Sequence, residues 1–355
     1  MTQKTKRIRD TVYVVGAGFS AGLGYPLTKS LMIEVWDRLP KPARDQLQKI
    51  IQFHHPSFDS RRATTFPDIE QLLTEVEVND QLFDASRPAP GRFTREQLKE
   101  TRESLLFTIA SWFHEIYEHA AETDWLADCI VRFRSDDSAV ISFNWDLVID
   151  QALFGRELNA GDYGFSETLH AAPLLLKPHG SLNWYQGDQL ERVPDLKRSE
   201  IFHHHTKAQC VHAFLRPRGV KSKSGHRYNP LIIPPTYLKD FTPAIFQHLW
   251  KNCVDLLSTA KELVFLGYSL PAADLQAQFI FRCGFYNQIH GRLKKDGTRY
   301  PATGPSKVII VNPEQDAARL PEQIFTNCGR LSRHCAFLNR GLSLRPFRLR
   351  DSARR

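Results

Sequence analysis

The stretch Val12-Tyr-Val-Val-Gly-Ala-Gly-Phe-Ser-Ala21 constrains the fold of this chain more than any other. A run of β-branched and aromatic residues stops at a glycine, and the small residues beyond it suit the opening turn of a helix. Gly16, Gly18 and Ala21 fit the spacing G-x-G-x-x-G/A. In that motif the glycines permit a tight turn and the close approach of a pyrophosphate, which rests on N–H groups at the start of the helix. A helix packed tightly against a strand needs the same glycines, so the motif by itself leaves a binding role and a packing role open.

Strand-like runs recur down the chain, at Ala139–Phe143, Leu174–Lys177, Leu231–Ile233, Glu262–Gly267 and Lys307–Val311. Each is short, apolar and bounded by polar or turn residues, the pattern of parallel strands buried on both faces. The expected fold class is therefore α/β: a Rossmann-like, mostly parallel sheet of six or more strands with helices on both faces. A helical insertion at about 40–135 separates the first two strands. Within it Leu98, Leu105, Ile109, Trp112, Phe113, Ile116, Tyr117 and Ala120 share one face at three- and four-residue spacing. A second insertion helix is predicted at Asp68–Leu82, with Ile69, Leu72, Leu73 and Val76 inward. Helices also fit Pro26–Leu39, Pro243–Thr259 and Asp274–Phe285, whereas the polar stretches 186–230 and 286–306 read as loops.

An apolar fraction of 42% over 355 residues supplies a large core and excludes disorder of the whole chain. No apolar run reaches the roughly 18 residues of a spanning helix, so no membrane association is expected. Lys4, Lys6, Arg7 and Arg9 precede an apolar stretch in the manner of a signal peptide, but Gly16, Gly18, Gly22, Gly24 and Pro26 interrupt it. Six cysteines lie scattered without C-x-x-C pairing, which suggests reduced thiols, a cytoplasmic setting and no zinc ribbon. His203-His204-His205 has no partner at ligand spacing, and no metal site is expected. The net charge is +8, and eight arginines between Arg330 and Arg355 face only Asp351. Residues 1–330 thus read as one catalytic domain and 331–355 as a basic segment, either a solvated surface or a patch for an acidic partner.

Polar islands follow the predicted strands. Asn144 and Asp146 of Ser142-Phe-Asn-Trp-Asp146 stand where α/β sheets bind ligands, although both residues are also common helix caps. Lys177-Pro-His-Gly-Ser-Leu-Asn-Trp184 holds His179 on constrained backbone, placed either as a general base or as a structural loop histidine. Leu266-Gly-Tyr-Ser-Leu-Pro271, with Asp274, and Val311-Asn-Pro-Glu314 close the series. Their Gly, Ser and Asn groups suit ribose, phosphate or adenosine, and equally suit turns and caps.

The order of these islands resembles the sirtuin superfamily. Ser-Phe-Asn-Trp-Asp, Lys-Pro-His-Gly-Ser-Leu-Asn-Trp, Ile233-Pro-Pro-Thr236 and Phe-Leu-Gly-Tyr-Ser-Leu-Pro are more closely similar to the sirtuin-like NAD-hydrolase domains of bacterial antiviral defence systems, over roughly residues 10–315. The resemblance implies a phosphate-binding turn at Gly16, Ala17, Gly18 and Ser20. It implies that Asn144 positions the nicotinamide ribose and the attacking group, with Asp146 beside it, and that His179 is catalytic. Gly267, Ser269 and Asn312 match contacts to the adenosine half of NAD.

Deacetylating sirtuins carry a zinc module of two C-x-x-C pairs, absent from this sequence, and an Asp-Phe-Arg run where this chain has Leu27-Thr-Lys-Ser. A dehydrogenase would place an acidic residue about 20 positions after the glycine turn, behind a second strand; Glu34 and Asp37 fall instead in a predicted helix. The expected function is cleavage of the nicotinamide N-glycosidic bond of NAD, as an effector depleting NAD in antiphage defence. A sirtuin-type deacylase or ADP-ribosyltransferase and an inactive nucleotide-binding subunit are the alternatives. Because these motifs take up most of the length and leave no evident sensor domain, the chain is expected to form a homo-oligomer and to answer to a separate sensor; the resemblance implies a helicase-type ATPase or a short Argonaute protein, with nucleic acid involved at most indirectly.

Overall fold

The computed structural model describes residues 9–82, 93–119, 123–135, 137–154, 163–165, 173–186, 199–203, 210–213, 220–221, 227–228, 230–233, 236, 244–271, 274–304, 306–312 and 335–338. In chain order its elements are β1 (Thr11–Val15), α1 (Ala17–Ala21), α2 (Thr28–Trp36), α3 (Lys41–His54), α4 (Ile69–Leu82), α5 (Arg95–His119), α6 (Asp124–Phe133), β2 (Ser138–Ser142) and α7 (Val148–Phe154). Then come β3 (Leu175–Leu176), β4 (Trp184–Gln186), β5 (Ser199–His203), β6 (Cys210–Ala213), β7 (Val220–Lys221) and β8 (Arg227–Tyr228). The last are α8 (Ala244–Leu257), β9 (Glu262–Leu266), α9 (Leu275–His290), β10 (Lys307–Val311) and β11 (Cys335–Leu338).

The main sheet has six strands in the order β11-β10-β9-β1-β2-β3. All five pairings are parallel, in registers such as Val12↔Ala139, Val12↔Leu263 and Val308↔Leu263. Val12, Val14, Val15, Val140, Ile141, Leu263 and Phe265 are each 1% exposed or less, so both faces of the pleat are covered, as the continuous apolar runs predict. Charge is kept to the amino ends of the strands, where Lys307 pairs with Glu262 and Lys261 with Asp10.

From β1 the chain builds outward to β2 and β3, returns across β1 to β9, and continues outward to β10 and β11. Helices beside adjacent strands diverge at such a reversal, which opens a crevice at the carboxyl ends of the strands. Here the reversal lies between β1 and β9.

The insertion between β1 and β2 is helical, as its periodicity predicts. Ile69, Leu72, Leu73 and Val76 of α4, and Leu98, Leu105, Ile109, Trp112 and Phe113 of α5, are buried; Ile116 and Tyr117 are half-buried, and Ala120 lies outside the described residues. Aromatic contacts tie α6 to the sheet and to α1: Phe133 packs on Tyr13 at 4.8 Å, and Trp125 meets Phe19 edge-on at 5.1 Å.

Three expectations need correction. Leu231–Ile233 is not a strand of the main sheet; Ile232 makes a single bridge to Gly180. Prolines at 230, 234 and 235 remove donors on both sides of the run, which bars it from a central ladder. The sixth strand is β11, whose four residues sit between Arg333-His334 and Asn339-Arg340 in a stretch read as a basic tail. The stretch expected as loops at 186–230 contributes short antiparallel strands, β4-β6-β5 and β7-β8, and α9 runs on to His290.

Candidate functional site

Two turns meet at the reversal. Gly16 N–H donates to the Leu266 carbonyl at 3.1 Å, and Gly18 N–H to the Gly267 carbonyl at 2.9 Å. Gly267 N–H in turn donates to the Val311 carbonyl at 2.9 Å, so β1, β9 and β10 are laced together at their carboxyl ends. Backbone approaches backbone so closely that side chains have no room. A Cβ on Gly267, whose φ is +60°, would lie 2.2 Å from Phe19 N, and one on Gly18 would lie 2.9 Å from the Gly267 carbonyl oxygen. Packing therefore requires these glycines. Phe19 N–H is also committed, to the Gly16 carbonyl at 2.9 Å, while Ala17 and Gly18 are the half-buried part of the turn.

Asn144, just past β2, clamps onto this turn. Its amide nitrogen donates to the Gly16 carbonyl at 2.9 Å and to Ser20 Oγ at 3.1 Å. A backbone carbonyl only accepts, so the nitrogen must face Gly16, and the side-chain oxygen is the atom left to accept from a further donor. Ser20 is fully buried and also bonds Asp146. Asp146 accepts Val148 N–H at 3.1 Å at the start of α7, the capping role its residue type suggests. Burial pushes its carboxyl above the usual range, against the opposing Lys177 charge and the Ser20 and Val148 hydrogen bonds.

His179 sits in a turn held from several sides. Ile233 N–H donates to the His179 carbonyl at 2.8 Å, Ser181 N–H to the Leu231 carbonyl at 3.2 Å, and Trp250 Nε1 to the Pro178 carbonyl at 3.0 Å. Gly180 has φ +81°, and a Cβ there would stand 2.2 Å from the Leu231 oxygen. The Leu231–Ile233 segment thus braces the histidine turn. The imidazole packs edge-on to Phe143 at 5.1 Å and near Trp250 at 5.7 Å; Phe143 in turn stacks on Tyr268 at 4.6 Å. His179 is 9% exposed, and its Nε2 is buried without a hydrogen bond, 3.3 Å from Asp274 Oδ2.

Hydrogen bonds therefore join Gly16, Ser20, Asn144 and Asp146 in one cluster and Gly18 to Gly267, and the Phe143–Tyr268 stack links that cluster to His179. Asn312 is buried at the end of β10, beside the Val311 carbonyl that receives Gly267 N–H. Ser269 is exposed.

Beneath the site lies a buried polar network. Lys177 Nζ, fully enclosed, donates to the Asp146 carbonyl at 2.6 Å, to Ser181 Oγ at 2.7 Å and to Asp150 Oδ2 at 3.0 Å. Tyr163 donates to the other Asp150 oxygen and receives Asn183 Nδ2 at 3.1 Å. Burial, reinforced by Asp150, drives the Tyr163 phenol well up. Lys177 and Asn183 were visible as polar residues of the histidine motif, but Asp150 and Tyr163 carry no local sign of belonging to it.

No family model and no curated protein matches this chain. Among solved structures it is similar to a Sir2 homolog–NAD complex (14% identity, 94% of this chain and 84% of that one, TM-score 0.40). It is likewise similar to Sir2Tm bound to a propionylated peptide (13% identity, 95% and 90% coverage, TM-score 0.39). A structure described for the mechanism and regulation of Sir2 enzymes gives 14% identity, 94% and 88% coverage and a TM-score of 0.42. The roles of the site residues rest on their own geometry.

Proposed function

We propose that this protein hydrolyses NAD at the nicotinamide N-glycosidic bond, giving nicotinamide and ADP-ribose. The observation that carries the reading is convergence: Asn144, His179 and the paired glycine turns, far apart in sequence, gather at the carboxyl edge beside the strand reversal. Nicotinamide leaves NAD as a neutral base, taking the bonding electron pair, so no acid is needed to expel it. The ribosyl centre left behind is oxocarbenium-like and needs a positioned nucleophile and a polar setting for its charge. Asn144 supplies a fixed acceptor oxygen that takes a hydrogen bond from water and leaves a water lone pair for the attack. His179 takes the proton released as the new C–O bond forms, or that of a ribose hydroxyl.

On this reading Asn144→Ala and His179→Ala each lower NAD turnover by about 100- to 10,000-fold, the usual cost of losing a positioned acid–base group. Asn144 also clamps the glycine turn, so its variant is compared with the parent by far-UV circular dichroism and melting. Full turnover by either folded variant would reject the roles. The motifs' resemblance extends the proposal to an antiphage effector that works as a homo-oligomer under a separate sensor protein. Sedimentation of a strict monomer with full, unassisted turnover would dismiss that extension and leave the chemistry standing.

A further inference from the structure

Asp274 stands before the first turn of α9 with its carboxylate anchored on both oxygens. Oδ1 accepts Ala277 N–H at 3.3 Å as the helix cap, and Oδ2 accepts the Tyr268 hydroxyl at 3.4 Å. The start of a helix favours negative charge, so the position suits an ionised carboxylate. Oδ2 also lies 3.3 Å from Nε2 of His179, and that nitrogen is enclosed without a hydrogen bond. Both residues are nine-tenths buried or more. A small rotation of the imidazole closes the contact, and such catalytic hydrogen bonds commonly tighten only when substrate binds.

Among the described residues, this carboxylate is the charged group that stands beside the ring. Among the described residues, Phe143 after β2 and Trp250 of α8 pack on the imidazole and Asp274 before α9 faces its Nε2, while Tyr268 after β9 stacks on Phe143 and donates to Asp274; the titratable groups of this set are Asp274 and Tyr268. The phenol stays neutral, because burial and the adjacent carboxylate raise it well above its ordinary range. The backbone leading to Asp274 passes through Leu270, a buried residue at φ +51°, a strained conformation for a leucine.

We propose that Asp274 is the positioning residue of His179: its ionised carboxylate accepts a hydrogen bond from Nε2–H, fixes the tautomer with the Nδ1 lone pair open to a proton, and balances the imidazolium formed when Nδ1 accepts one. The catalytic part of this inference rests on the reading of His179 as general base. The proton travels from the attacking water, or a ribose hydroxyl, to Nδ1 and then to solvent; Asp274 itself stays ionised.

Two measurements test it. Nitrogen chemical shifts of His179 in the full chain should show the Nε2–H tautomer at neutral pH; the Nδ1–H tautomer would overturn the pairing without any variant being made. Asp274→Asn keeps a good helix cap. It should move the His179 nitrogen shifts away from those of a pure Nε2–H tautomer and reduce kcat by at least about tenfold with little change in KM. Asp274→Glu should restore part of the loss. Unchanged His179 nitrogen shifts in folded Asp274→Asn would refute the inference. If the parent protein leaves NAD intact, the hydrolase reading fails, while the two NMR measurements still decide the pair.

Discussion

Gly18 and Gly267 illustrate how a motif names a position without naming what the position serves. The sequence identifies Gly18 as a phosphate glycine or a packing glycine; the structure spends its N–H and its missing side chain on Gly267. Gly18→Val is thus predicted to disrupt the turn-to-turn contact as well as any ligand. Gly267→Ala meets a backbone atom at 2.2 Å with φ +60°, and overpacking plus strain should cost about 2–4 kcal/mol in a urea titration. A loss under 1 kcal/mol would mean that the two turns separate easily. Asp146 supports a prediction in pH. Burial raises its pKa in the folded state, so the fold holds this proton more tightly than the unfolded chain does. Its contribution is present below the unfolded carboxylate pKa and is lost as pH rises through the raised folded value. Asp146→Asn should therefore gain stability relative to the parent as pH rises above the ordinary carboxylate range, and a pH-independent difference would contradict this. That Asp146 is buried over a lysine was not legible, because Lys177 lies 31 residues away and its direction depends on the sheet.

Among the elements, the short strands of the sheet were the most legible part. β1, β2, β9 and β10 are runs of β-branched or large apolar residues buried on both faces, and each fell within about a residue of its predicted bounds. Leu231–Ile233 shares that composition but is walled by prolines, and its donors and acceptors go to the histidine turn. β11 hid among arginines, since four apolar residues give no periodicity to set against the charge around them. The brace on His179 makes Trp250 a test at this scale. Trp250→Phe keeps most of the packing on Phe143 and His179 but removes the Nε1 hydrogen bond to the Pro178 carbonyl. The expected cost is about 0.5–1.5 kcal/mol in stability. Turnover should fall through kcat more than KM, because the histidine turn loses a fixed point. Unchanged kcat would mean that the Gly180–Ile232 bridge alone holds the turn.

Across the whole molecule, one topological event places the site. The sheet order carries β1 into the centre, so the first turn of the chain lies against turns that follow it by some 125 to 250 residues. Spacing along the sequence announced the order of the islands; their contacts depend on register between strands, which no local pattern encodes. The buried Lys177–Asp150 pair is the clearest case, linking the histidine motif to α7 with both side chains enclosed. Lys177→Met should cost about 3–5 kcal/mol by stranding the carboxylate, while adding Asp150→Leu should recover much of it. Additive losses would show that the two charges do not depend on each other. The chemistry at the strand reversal is tested by incubating the purified full chain with NAD and separating the products by chromatography. Nicotinamide and ADP-ribose should accumulate one to one and disappear together in His179→Ala. NAD left intact, or nicotinamide released without free ADP-ribose, would contradict hydrolysis of NAD at this site.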